Sequence, residues 1–106
     1  MRKIELRVVP ILSNEEIAKT GFELKYRLEF LRLVSTFPQG AGIEEQRRLI
    51  KLNKKLRKAS DTDAIVLEDA EWETLKQNLS TAKFNFFAEE LVEMADSVIN
   101  AEDRDG

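Results

Sequence analysis

Between residues 43 and 59 leucines recur at intervals of three and four: Leu49, Leu52 and Leu56, with Ile50 beside them and Ile43 one turn earlier. That spacing predicts an amphipathic helix over 43–59. The charges agree with it. Glu44 and Glu45 fall in the first turn, and Arg57 and Lys58 in the last, which complements the helix dipole. Arg47, Arg48, Lys51, Lys54 and Lys55 cover the remaining surface. A helix that is charged on most sides and apolar along one stripe needs a partner surface, so the rest of the chain must build a core beneath it.

Residues 2–9 alternate, with Ile4, Leu6 and Val8 on one side and Lys3, Glu5 and Arg7 on the other, which reads as a strand. Pro10 cannot donate to a ladder and ends that strand or places it at an edge. Ser13-Asn14-Glu15-Glu16 has the form of a capping box, with Ser13 bonding to Glu16 and Glu16 reaching back, and Gly21 suits the end of the short turn that follows. Residues 22–30 carry two patterns at once. Phe22, Leu24, Tyr26, Leu28 and Phe30 alternate as in a strand, while Leu24, Leu28, Leu31 and neighbouring apolar residues form a helical stripe. Helix-favouring composition selects a helix over 23–36, with its first turns open to an extended form. Pro38-Gln39-Gly40-Ala41-Gly42 is a loop.

After the polar turn Ser60-Asp61-Thr62-Asp63, the run Ala64-Ile65-Val66-Leu67 is the best partner for the N-terminal strand. Asp69 is positioned to cap a helix over 70–79, whose buried side is Trp72, Leu75 and Leu79. A last helix is expected over 85–101, with Phe87, Leu91, Met94 (or Ala95) and Val98 inward and Glu89, Glu90, Glu93 and Asp96 outward. The fold expected from these elements is mostly α with a minor β component. Three principal helices surround one core, and a short N-terminal strand pairs with residues 64–67. At 106 residues the chain fits one domain, spanning 1–101, with 102–106 a disordered tail that has nothing to bury.

Composition narrows the chemistry. There is no Cys, which excludes thiolate and disulfide chemistry, and no His, which removes the commonest general base and transition-metal ligand. Carboxylate and lysine chemistry remain open. The apolar residues after Met1-Arg2-Lys3 are interrupted by Glu5, Arg7 and Pro10, so no signal-peptide core forms, and no apolar run nears the ~18 residues of a membrane span. A cytoplasmic protein is expected. The net charge of −3 conceals two opposed halves. Residues 1–60 hold 14 Lys and Arg against 7 Asp and Glu, a net +7, whereas residues 61–106 hold 3 against 13, a net −10. Such asymmetry points to a partner, or to two halves that neutralise each other within one molecule.

Each chemical signal has a plainer explanation beside it. Seven Lys and Arg within 47–58 could follow a phosphate backbone, but no aromatics are interleaved and the chain is acidic overall, so a solvated face or a face for an acidic surface fits better. Asp61-Thr62-Asp63 begins like a calcium loop, yet Val66 stands where that loop needs Gly, and Trp72 where it needs Glu. The carboxylates of 68–73 and 89–96 fall on helix starts and polar faces, where dipole compensation and solubility account for them. No catalytic, cofactor or metal site is expected, and the chain reads as non-enzymatic. Phe84-Asn85-Phe86-Phe87 packs three rings into four residues, more than one helix face can bury; core packing at a helix junction is the favoured reading and a partner-binding patch the alternative. The candidate interface residues are therefore Arg47, Arg48, Lys51, Lys54 and Lys55 on a basic side, Glu89, Glu90 and Glu93 on an acidic side, and Phe84 and Phe86 between helices.

Three pieces of sequence, Gly42-Ile43-Glu44-Glu45-Gln46-Arg47-Arg48, Leu67-Glu68-Asp69-Ala70-Glu71-Trp72 with Leu75-Lys76, and the apolar-acidic helix ending near Asp96-Ser97-Val98, together resemble a largely uncharacterised group of small proteins encoded by tailed bacteriophages and prophages. The resemblance spans residues 42–98 and brings no catalytic residues with it. It implies a phage context in a bacterial host. The expected function is then protein–protein contact during virion assembly, in the tail or at the head–tail junction, through a phage or host protein or a second copy. The alternatives are a protein that binds and modulates a host factor and, less favoured, a nucleic-acid binder using residues 47–58.

Overall fold

The structure, a computed structural model, describes residues 1–35 and 40–102. Its elements in order are β1 (Arg2–Glu5), β2 (Val8–Pro10), α1 (Glu15–Ala18), β3 (Glu23–Lys25), α2 (Tyr26–Leu33), α3 (Ile43–Lys58), β4 (Ala64–Leu67), α4 (Asp69–Thr81) and α5 (Glu89–Ile99). Among the described residues the fold is therefore α+β, with five helices and two two-stranded antiparallel sheets. This overturns the expectation of a mostly α fold with three helices around one core. The short capped turn expected after Ser13 is the four-residue helix α1, and β3, three residues long and running straight into α2, lies in the stretch where a helix was chosen over the strand pattern.

The N-terminal segment is divided between the sheets. β1 pairs with β4 in the register Arg2↔Leu67 to Glu5↔Ala64, so Ile4 lies opposite Ile65 on the buried face. The Leu6 amide extends this ladder to the Asp63 carbonyl at 2.8 Å. The chain then turns away at Arg7, and β2 pairs with β3 in the register Val8↔Lys25 to Pro10↔Glu23. Pro10 lies at the end of that ladder, where its missing N–H costs nothing. The alternation seen at 22–26 is thus a real strand signal. Tyr26 is where the pattern changes period: its amide still bonds to the Arg7 carbonyl, at 3.0 Å, while its own residue opens α2. The helix expected from residue 23 starts three residues later, and its expected end at residue 36, like the expected loop at 38–39 and the tail at 103–106, lies outside the described residues.

Helix ends follow local hydrogen-bonding chemistry. Asn14, not Ser13, caps α1, its Oδ1 accepting from the amides of Glu16 and Ile17. Gly21 takes φ 72° in the turn beyond, a left-handed conformation open to glycine. Glu68, not Asp69, is the N-cap of α4, and Glu71 three residues on accepts the Glu68 amide at 2.9 Å. The last helix begins at Glu89 instead of 85, after Ala88 in extended backbone.

The core lies between the β1–β4 ladder and α2–α5. Phe30, Leu52, Leu56, Leu75, Met94 and Val98 are essentially solvent-free. Fully burying a side chain of this kind is worth roughly 1.5–3 kcal/mol, so the apolar stripes hold the helices in place. Leu49, Leu52 and Leu56 are the buried side of α3, as their spacing requires, whereas Ile43 and Ile50 face solvent. Trp72 is buried on α4, its indole N–H donating to the Val98 carbonyl at 2.8 Å and so tying α4 to α5. None of the helices in the described residues is long and apolar enough to cross a membrane.

Candidate interaction surfaces

Ion pairs join the two oppositely charged halves of the chain. Asp61 meets Arg27 at 2.8 Å and Lys25 at 3.9 Å, the N-terminal amine meets Asp69 at 3.8 Å, and Lys55 meets Glu71 at 2.5 Å. Asp63 accepts the Ser60 amide, and its bonds to Ser60 hold its carboxyl below the usual range. The acidic turn at 61–63 is thus occupied with holding its own chain.

Lys55 is the member of the predicted basic face that turns inward. Its ammonium donates to the Val66 carbonyl and to Glu71, a carboxylate that is almost wholly buried. Glu71 was grouped with the solvated carboxylates from sequence, but its place at the third position of α4 aims it back under α3. Arg47, Arg48, Lys51 and Lys54 stay exposed. Arg47 meets Glu44 at 3.1 Å, an exposed pair within one helix that contributes little and exchanges readily. The two isoleucines, Ile43 at 65% and Ile50 at 52% exposure, lie among these cations. Ile43, Arg47, Ile50, Lys54 and Arg57 recur at intervals of four and three, so they form one stripe on the outer side of α3.

On the acidic side, Glu89 and Glu93 are exposed and Glu90 is not free. The Glu90 carboxylate accepts from the Leu12 amide at 2.9 Å, the Ser13 amide at 3.3 Å and the Ser13 hydroxyl. These bonds pull its pKa down to about 2, the Ser13 hydroxyl first among them. Ser13 in turn accepts the Glu89 amide at 2.8 Å, and the Asn14 side-chain amide donates to the Phe87 carbonyl at 2.9 Å. The loop before α1 therefore caps α5, a helix whose own N-cap, Ala88, has no side chain to do so. Docking of this loop leaves Leu12 (70%) and Phe87 (83%) exposed at the start of α5, with Val92 (60%) one turn further along. Glu89, Val92 and Asp96 form the outer stripe of that helix.

The aromatic residues divide between the core and the surface. Phe84 and Phe86, the two predicted interface rings, are half-buried against the core. Phe86 meets Phe22 edge-on at 5.8 Å, and the Arg32 guanidinium lies 5.5 Å from the Phe84 ring. Phe87, predicted to line the inner face of the last helix, is the exposed ring because the helix has not yet begun there. Val92, Ile43, Ile50 and Leu12 were likewise missed as surface residues. The three-and-four spacing of acid–Val–acid in 89–96 was the available signal for the first.

A polar cleft of about 360 Å³ lies between β1 and α5, lined by Lys3, Glu5, Arg7, Tyr26, Glu93 and Ser97. Burial raises the Tyr26 hydroxyl above its usual range, with Arg7 opposing and Glu93 adding to the shift. Arg7 and Glu5 pair across its rim at 3.2 Å. No protein-family model, curated protein or solved structure matches this chain.

Proposed function

We propose that this is a non-enzymatic protein of a bacteriophage or prophage that acts by protein–protein contact in assembly of the virion, at the tail or the head–tail junction. The observation that carries the reading is the pair of outward helical stripes. Ile43 and Ile50 stand exposed among Arg47, Arg48, Lys51 and Lys54, and Phe87 and Val92 stand exposed among Glu89, Glu93 and Asp96. Apolar side chains ringed by one sign of charge are what a protein interface uses, the apolar centre for affinity and the rim for orientation. The phage context comes from the sequence resemblance over residues 42–98, and with it a place in the bacterial cytoplasm and in assembling particles.

The test is deletion of the coding sequence from the phage or prophage, followed by electron microscopy of lysates and protein analysis of purified particles. Accumulated heads or tails that fail to join, or the protein in particles, supports the assembly role. Normal particles that lack the protein overturn it. Capture of a host protein by the tagged chain in that case would replace assembly with modulation of a host factor.

A further inference from the structure

We propose that the occupant of the α3 stripe is the α5 stripe of a second copy of this chain, so that copies associate head to tail. This rests on the reading above that the protein works by protein–protein contact, and it names the contact.

The two stripes match in spacing and oppose in charge. On α3, Arg47, Ile50 and Lys54 are spaced three and four; on α5, Glu89, Val92 and Asp96 are spaced three and four. All six are exposed. With the helices parallel, Arg47 meets Glu89, Ile50 meets Val92 and Lys54 meets Asp96. Antiparallel, the three and the four fall out of step. In the parallel register the residue four before Arg47 is Ile43, 65% exposed, and it comes level with the segment before α5 that carries Phe87, 83% exposed. In this register the two cations Arg47 and Lys54 each find an acid and Ile50 meets Val92. Within one molecule the two stripes lie on different helices that both pack on α4 with their inner faces, so the outer faces remain available to a neighbour.

The contact joins unlike surfaces, so it is heterologous: each copy keeps one stripe free, and the series closes into a ring or continues as a filament. The contact is small, and an association in the micromolar range is expected. The charged rim makes it sensitive to salt, since the Debye length falls from about 10 Å at 0.1 M to a few ångströms near 1 M.

The experiment measures mass by light scattering for the full chain and for two variants, Arg47→Glu/Lys54→Glu and Glu89→Lys/Asp96→Lys. Circular dichroism and urea denaturation confirm that each is folded, which the exposure of all four sites favours. Either variant alone opposes like charges and should weaken association at least about 100-fold. Mixed together, the reversed α3 of one variant meets the reversed α5 of the other and the unaltered stripes meet as before, so assembly should return. Oligomers of the unmodified chain that dissociate in high salt, are lost in each variant and return on mixing support the proposal. A monomeric unmodified chain, oligomers indifferent to both reversals, or a mixture that stays monomeric would overturn it. These results are independent of the deletion phenotype: a monomer whose loss still blocks particle assembly removes the self-contact and leaves the wider role standing with another partner.

Discussion

Ser13 and Glu90 are bonded across 77 residues of sequence, the Ser13 hydroxyl donating to the Glu90 carboxylate while it accepts the amide of Glu89. One hydroxyl therefore joins the loop before α1 to the first turn of α5 and replaces a cap that Ala88 lacks.

This relationship has a pH signature. The Glu90 carboxyl is depressed from 4.5 to about 2 by its bonds to Ser13 and Leu12. A depressed carboxyl adds stability above its unfolded value, and that contribution disappears as pH falls through the folded one. Glu90→Gln should accordingly lower Tm at pH 7, with the gap to the unmodified protein narrowing between about pH 4.5 and 2. Thermal melts by circular dichroism across that range check it. A gap that is constant with pH would mean the carboxylate contributes no charge-dependent stabilisation.

Lys55 and Glu71 form an ion pair that is buried at its acidic end. Lys55→Met removes the cation and leaves Glu71 buried with only the Glu68 amide for company. Breaking such pairs typically costs about 3–5 kcal/mol; because the Lys55 side chain is 37% exposed, the loss here should be nearer about 2 kcal/mol. Urea denaturation of Lys55→Met, Glu71→Met and the double variant should show the double costing less than the two singles together, by about 1 kcal/mol. Additive losses would show that the pair is not coupled.

Arg2 stacks on the only tryptophan. Its guanidinium carbon is 3.6 Å from the Trp72 ring centroid, and its Nη1 donates to the Ala101 carbonyl at 2.6 Å. Arg2→Ala should destabilise by about 2 kcal/mol through loss of the stack and the charged hydrogen bond. It should also change Trp72 emission in the folded state, which a surface substitution would leave unaltered.

Phe87→Ser should behave in the opposite way. At 83% exposure the ring buries little, so stability should move by no more than about 0.5 kcal/mol. If Phe87 lies in the head-to-tail contact, light scattering of this variant should show weaker association at unchanged Tm.

The sequence was informative where structure is local and long. α3 spans Ile43–Lys58 against an expected 43–59, and its leucine stripe is buried as spaced, because sixteen residues give periodicity four turns to appear. β1 and β4 meet because both runs are β-branched or alternating and bounded by turn residues. What failed was decided by distant partners. Ser13 is a good cap by local rules, but Asn14 caps α1 and frees Ser13 for α5, and nothing within residues 10–20 encodes that choice. Glu23–Lys25 became a strand because β2 needed a partner, against the helical leanings of its residues. On the candidate surfaces, composition marked a basic stretch in α3 and an acidic one in α5, and most of those charges are exposed. It could not separate Lys55 from Lys54 or Glu90 from Glu89, because one residue of helical rotation turns a solvated charge into a buried or bonded one.

The pairing order has a consequence for synthesis. β1 and the loop at Ser13 take their places against segments made much later: β1 waits for residues 64–67, the Ser13 loop for the start of α5, and Arg2 for the Ala101 carbonyl. Loop closure over such separations must precede any reward from the contacts it enables. β1 therefore remains without its neighbour, an open backbone edge, until β4 has been made, and the fold closes only when α5 has emerged. α3, built from local bonds alone, is the element suited to form first and to serve as the platform on which the rest arrives.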